Sequence, residues 1–156
     1  MEVYRISRSK YADDISGTGA RLYGGRWNPK GVAILYTAES RALAALELLV
    51  HLDPNLLPSD LKIITIKIPE ELSFEILTKS ELPENWKNYP APFELGEIGE
   101  KWVFSKRTLG LKVPSVIIPE ESNILINPLH DGFHRIEILE IEGFSIDDRL
   151  IKNQLE

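Results

Sequence analysis

A chain of 156 residues with 43% hydrophobic and 27% charged positions has the size and make-up of one globular domain, enough to bury roughly two-thirds of the surface its unfolded form exposes. No segment approaches the ~18 uninterrupted apolar residues of a membrane span, and the opening MEVYRISRSK lacks the apolar centre of a secretory signal. A formal charge of -6 and a pI near 5.2 argue against general affinity for nucleic acid phosphates, and the absence of cysteine removes disulfides and any thiol nucleophile, so a cytoplasmic setting is expected.

Residues 3 to 6, VYRI, read as a short opening strand. From Ser7 to Gly31 the chain carries five glycines and no regular apolar period. That stretch reads as a long ordered loop, since Tyr11, Leu22, Tyr23 and Trp27 give it groups to bury. VAILYTA at 32 to 38 is a strand pattern, and Ser40 is a candidate N-cap for the helix SRALAALELLVHL, which must end near Asp53 and Pro54. LKIITIKIP predicts a strand over 61 to 68. The stretch from 72 to 93 is less regular, with FEIL a candidate strand and PENW a candidate helical turn. A helix is expected over 94 to 107, although Gly96 and Gly99 each cost it about 1 kcal/mol relative to alanine. Further strands are expected at 113 to 118, 123 to 126 and 134 to 142. The sum is a single mixed α+β domain in which strands outnumber helices.

Glu47 is the sharpest chemical anomaly. At 100° per residue, Leu43, Glu47 and Val50 fall within about 40° to 60° of one another, which places a carboxylate on an apolar stripe. An isolated buried carboxylate is costly, so it needs a partner or a ligand. Either it lies at the rim of the helix beside an arginine, or it serves a substrate. GGRWN at 24 to 28 offers a second candidate: Gly24 and Gly25 permit positive φ and close approach, and Arg26 presents a planar fork of donors to phosphate or carboxylate. The competing reading is a plain turn with Trp27 plugged into the core. Arg5 and Arg21 add cations from the same end of the chain. No G-x-G-x-x-G or P-loop pattern is present, so neither standard nucleotide fold is supported.

Tyr36 lies in the strand ahead of the Glu47 helix, where its ring could stack on a flat ligand or simply join the core. Ser115, in VPSVIIP, shares a strand face with Val113 and Ile117 by period-2 alternation. His130 and His134 are four apart, but Gly132 between them and the lack of companion ligands argue against a metal site.

Taken together, YR at 4 to 5, YADDISGTGARLYGGRWNPKG at 11 to 31, LYTAESRALAALELLVHL at 35 to 52, VPSVIIP at 113 to 119 and NILINPLH at 123 to 130 resemble the RES-domain family, named for active-site arginine, glutamate and serine residues. The segment from 70 to 105 contributes little to the likeness. The resemblance implies a fold like that of diphtheria-toxin-type ADP-ribosyltransferases. It also implies a toxin that depletes NAD as its substrate, with no prosthetic group, an Xre-type antitoxin as partner, and dimers within a larger assembly. Carried over, the catalytic arginine falls on Arg26, the tyrosine on Tyr36, the glutamate on Glu47 and the serine on Ser115, with Ser122 and Asn123 close by. Arg5, Gly25, Arg26 and Tyr36 would bind the dinucleotide. Cleavage of the nicotinamide-ribose bond, ADP-ribosylation of a protein, and a non-catalytic nucleotide- or partner-binding module are the activities to separate.

Overall fold

The computed structural model describes residues 1 to 151. Their strands are β1 (Glu2–Arg8), β2 (Leu35–Ala38), β3 (Leu61–Lys67), β4 (Phe74–Ile76), β5 (Gly110–Pro114), β6 (Ser122–Ile126) and β7 (Glu137–Gly143). Three α-helices join them: α1 (Thr18–Tyr23), α2 (Arg41–Leu49) and α3 (Phe93–Ser105). All seven strands form one sheet in the order β4-β5-β6-β2-β1-β3-β7, antiparallel except for the β4–β5 pair.

Alternation along the strands gives the sheet two buried faces. Val3, Leu35, Ile64, Ile66, Ile124 and Ile126 pack on one side with Leu109 and Ile136. Leu111, Val113 and Leu125 pack on the other with Trp27, Leu95, Trp102 and Val103, and Tyr36 leans against them. Further along that second face, Leu43 and Ala44 of α2 close over Ala38, beside Tyr4 and Ile6. Burial on both sides explains why β3 reads as an almost unbroken apolar run.

The pairing is uneven at one place. β1 matches β3 over its whole length, from Glu2 opposite Lys67 to Arg8 opposite Leu61, and β2 matches β6 from Leu35 opposite Ile126 to Ala38 opposite Asn123. Between β1 and β2 the register has the single pair Tyr4 and Ala38. The two central strands therefore splay, each held by its outer neighbour.

The Ser40 cap forms as expected, its side chain accepting from the Leu43 amide. Other expectations need correction. The stretch from 7 to 31 is not a loop throughout, since β1 runs on to Arg8 and α1 occupies its middle, entered through Gly17 at φ 75°. The strand expected over 113 to 118 runs instead from Gly110 to Pro114. Beyond it the Ser115 hydroxyl accepts from the amides of Ile117 and Ile118 and turns the chain, as serine does when it competes with the ladder. The last strand begins at Glu137 because His130 Nδ1 accepts from the Gly132 amide and starts a short turn over Asp131–Arg135.

Gly99 was expected only to weaken its helix, but the packing requires it. A Cβ built there would sit 1.7 Å from the carbonyl oxygen of Trp27, so α3 rests directly on the backbone of the GGRWN segment. Gly96, one turn earlier, is under no such constraint, its nearest neighbour being the Pro29 nitrogen at 3.6 Å. Gly99→Ala should therefore destabilise the fold by at least about 1–3 kcal/mol through overpacking. Gly96→Ala should be neutral or stabilise it by up to about 1 kcal/mol. Urea unfolding of the two variants checks this, and similar behaviour of both would contradict the contact.

Candidate active site

The GGRWN turn is built around Asn28, which is 2% exposed. Its amide donates to the carbonyls of Ala20 at 2.8 Å, Val32 at 2.9 Å and Pro29 at 3.1 Å, sharing two hydrogens among three acceptors. Its Oδ1 accepts from the Tyr36 hydroxyl at 2.7 Å, and that hydroxyl accepts in turn from the Trp27 amide at 3.0 Å. Paired backbone bonds between Gly25 and Asn28 close the turn. With Trp27 sunk into the core at 2% exposure, Arg26 is left at the tip.

Two expected roles take a different form here. Of the two glycines, Gly24 has the positive φ, at 75°. The close approach at Gly25 is to the protein itself, since a Cβ would lie 2.8 Å from the Tyr36 hydroxyl and 2.9 Å from Asn28 Oδ1. The Tyr36 hydroxyl is committed to this turn, and burial pushes its pKa well above the usual phenol range, so it stays protonated. Its ring still forms part of the cleft wall.

Arg26 spends one nitrogen on the protein. Nη1 donates to the carbonyls of Trp86 at 2.9 Å and Asn88 at 3.1 Å, while Nε and Nη2 have no hydrogen-bond partner among the described residues. Burial pulls its pKa below the ordinary guanidinium value, and the nearby Glu47 carboxylate opposes that pull. Arg5 is anchored on the Asp14 carbonyl at 2.6 Å, and burial likewise lowers its pKa.

Glu47 has two hydrogen-bond donors and no ion-pair contact among the described residues. Ser115 Oγ donates to its Oε1 at 2.8 Å, and Asn123 Nδ2 donates to the same oxygen at 2.6 Å. Ser115 is fully buried, and its lone pairs are taken by two amides, so its one hydroxyl hydrogen is directed at Glu47. No Lys or Arg among the described residues forms an ion pair with Glu47, and Oε2 receives no protein hydrogen bond among them. The apolar stripe is narrower than expected. Leu43 is buried, but Val50 lies past the end of α2 and is 61% exposed.

These groups meet in a cleft of about 1110 Å³. Arg5, Arg26, Tyr36, Glu47 and Asn123 line it, along with residues from both sides of the β1–β2 splay. Ser115 lies behind the wall and touches the cleft only through Glu47. Arg21 is exposed and lies outside it. His130 and His134 are occupied by local turn bonds, and no group of three or more metal-ligating side chains exists among the described residues.

The sequence reading missed Asn123 as a partner of Glu47. A polar residue in an inward position of the alternation NILI was the available signal. It also missed the wall formed by Lys87, Tyr89 and Pro90, which no pattern in the irregular stretch before α3 distinguishes.

A family model described as the RES domain matches residues 2–147. The chain belongs to the RES-domain family. It is 45% identical over 148 residues to a Sphingobium sp. protein named Prs ADP-ribosylating toxin, covering 94% of this chain and 92% of that one. It is 43% identical over 155 residues to a Photorhabdus laumondii protein named Toxin Res, covering 97% and 98%. Among solved structures, the crystal structure of the M. tuberculosis MbcT-MbcA toxin-antitoxin complex aligns over 97% of this chain and 87% of that one. The TM-score is 0.72 at 20% identity, a likeness of fold. The strand-rich α+β fold expected of this RES-domain chain is the one observed.

Tyr36→Phe keeps the ring and removes both bonds of the hydroxyl, leaving the Trp27 amide and Asn28 Oδ1 short of a partner. It should cost about 1–3 kcal/mol of unfolding free energy, measurable by denaturant titration. A variant as stable as wild type would show that the hydroxyl does not hold the turn.

Proposed function

We propose that this RES-domain protein cleaves the nicotinamide-ribose bond of NAD, passing the ADP-ribosyl group to a small acceptor, and acts in the cytoplasm as the toxin of a toxin-antitoxin pair. The observation that carries this reading is the Glu47 carboxylate. It is held through one oxygen by Ser115 and Asn123, keeps the other unbonded among the described residues, and shares its cleft with Arg26 and Arg5.

Breaking the C1'–N bond returns the electron pair to the nicotinamide nitrogen. The cationic ring leaves as a neutral molecule, and no general acid is needed. The difficulty lies in the positive charge that develops on the ribose, as in glycoside cleavage. A fixed carboxylate beside that centre, screened little by water, stabilises the charge, while Oε2 accepts from the ribose 2'-hydroxyl. Arg26, through Nε and Nη2, and Arg5 would bind the pyrophosphate, and the Tyr36 ring would form the floor on which the substrate lies. Water or inorganic phosphate then forms the new C1'–O bond, and where water attacks, its extra proton passes to bulk solvent.

The names of the relatives and the toxin-antitoxin complex of the structural neighbour support the toxin reading and a protein antitoxin as its partner; that the antitoxin is of the Xre type is what the family resemblance implies. The name of the Sphingobium relative favours a second reading, transfer of ADP-ribose to a protein. Both readings use one donor site and differ in the acceptor.

Purified protein incubated with NAD, with and without phosphate, should release nicotinamide steadily in the absence of any other protein. Release only when a protein acceptor is added and becomes labelled would establish the second reading instead. Glu47→Gln keeps the shape and removes the charge, so turnover should fall ~100-fold or more, with the unfolding midpoint little changed. Turnover close to wild type in that variant would remove the carboxylate from the mechanism.

A further inference from the structure

The cleft is also lined by Lys87, Tyr89, Pro90 and Ala91, from a segment to which NAD cleavage assigns no role. It is a firmly mounted piece of chain. Trp86 is 6% exposed within the core, and the Trp86 and Asn88 amides donate to the carbonyls of Pro83 and Asn85. Arg26 Nη1 donates to the carbonyls of Trp86 and Asn88. Beyond it, Pro90 and Pro92 lead into α3, which is pressed against Trp27 at Gly99. On this mount Tyr89 stands 85% exposed while lining the cleft, and its hydroxyl has no hydrogen-bond partner among the described residues. A large exposed aromatic ring, carried beside a cleft on a backbone whose neighbouring carbonyls are bonded, offers a flat apolar face to whatever enters.

The neighbours of Arg26 in the cleft indicate what that is. Arg26 is close enough to feel both the half-buried Glu47 of α2 and Tyr89, and it is bonded to the residue just before Tyr89. A dinucleotide with its nicotinamide ribose at Glu47 and its pyrophosphate at Arg26 carries its other nucleoside toward Tyr89. We infer that Tyr89 is the residue on which the adenine base of the dinucleotide stacks, with Arg26 serving both as anion ligand and as the clamp that sets the tyrosine in place. This rests on the NAD reading of the cleft and adds the residue that binds the half of the substrate remote from the reaction. Stacking needs the ring and not the hydroxyl, so the phenyl variant should suffice. Binding energy gained so far from the bond that breaks should appear in substrate affinity more than in turnover.

The test is calorimetric binding of ADP-ribose, which contains the adenine but cannot react, to wild type, Tyr89→Ala and Tyr89→Phe, alongside NAD-cleavage kinetics. Tyr89→Ala should weaken ADP-ribose ~10-fold or more, with the kinetic loss carried by KM rather than kcat, and Tyr89→Phe should restore wild-type values. ADP-ribose affinity unchanged in Tyr89→Ala, or Tyr89→Phe as impaired as the alanine variant, overturns the stacking role and leaves the NAD reading standing. Wild type that neither binds ADP-ribose nor consumes NAD overturns both. The side chain is exposed, so both variants should melt with wild type, and a thermal scan confirms that folded proteins are being compared.

Discussion

Two hydrogen bonds onto one oxygen of Glu47 connect the elements of this molecule that make its cleft. The donors come from the turn after β5 and from the first residues of β6, the acceptor from the last turn of α2, and α2 itself lies over Ala38, the one residue of β2 that pairs with β1. A half-buried carboxylate in no ion pair among the described residues, with Arg26 nearby but not in contact, is expensive to hold charged. Ser115 and Asn123 offset that cost without neutralising the charge, and because both bind Oε1, they settle which oxygen stays open. Ser115 can do this reliably because the Ile117 and Ile118 amides leave its hydroxyl hydrogen one direction to point.

The opposite wall is held by a different economy of parts. Asn28 gathers the carbonyls of three residues and the hydroxyl of Tyr36 around one side chain, and the turn it organises sends Trp27 inward and Arg26 outward. Each glycine that matters in this region removes a Cβ that would strike the turn: Gly25 against Tyr36 and Asn28, Gly99 against the Trp27 carbonyl. Arg26 then reaches across to the backbone of Trp86 and Asn88 and fixes the far rim. A cation committed in this way has lost much of its conformational freedom before any ligand arrives, which favours tight anion binding, with Nε and Nη2 unbonded among the described residues.

Much of the architecture was legible from local pattern. The isoleucine run of β3, the Ser40-capped helix and the NILI strand were read close to their observed limits, since each is specified by neighbours in sequence. The errors fall where a tertiary contact outweighed the local rule. Gly99 looks like a defect in an isolated helix and is a contact surface in the folded one. VPSVII has the composition of a strand, but a proline at Pro114 and a serine that bonds forward convert its second half into a turn. α1 was hidden because six residues containing Gly19 present too little periodicity to detect.

For the cleft, the sequence by itself singled out a carboxylate on an apolar helix and an arginine in a glycine turn, because burial cost and turn preference act over a few residues; Tyr36 and Ser115 stood out as site candidates only through the resemblance to the RES-domain family. Only the tertiary structure decided that Ser115 works behind Glu47, that Asn123 joins it, that Tyr36 locks the turn, and that Tyr89 stands at the rim. Those roles depend on contacts between residues as much as 76 positions apart. They arise from the register of the sheet and the splay between β1 and β2, and no pattern within a single segment encodes either.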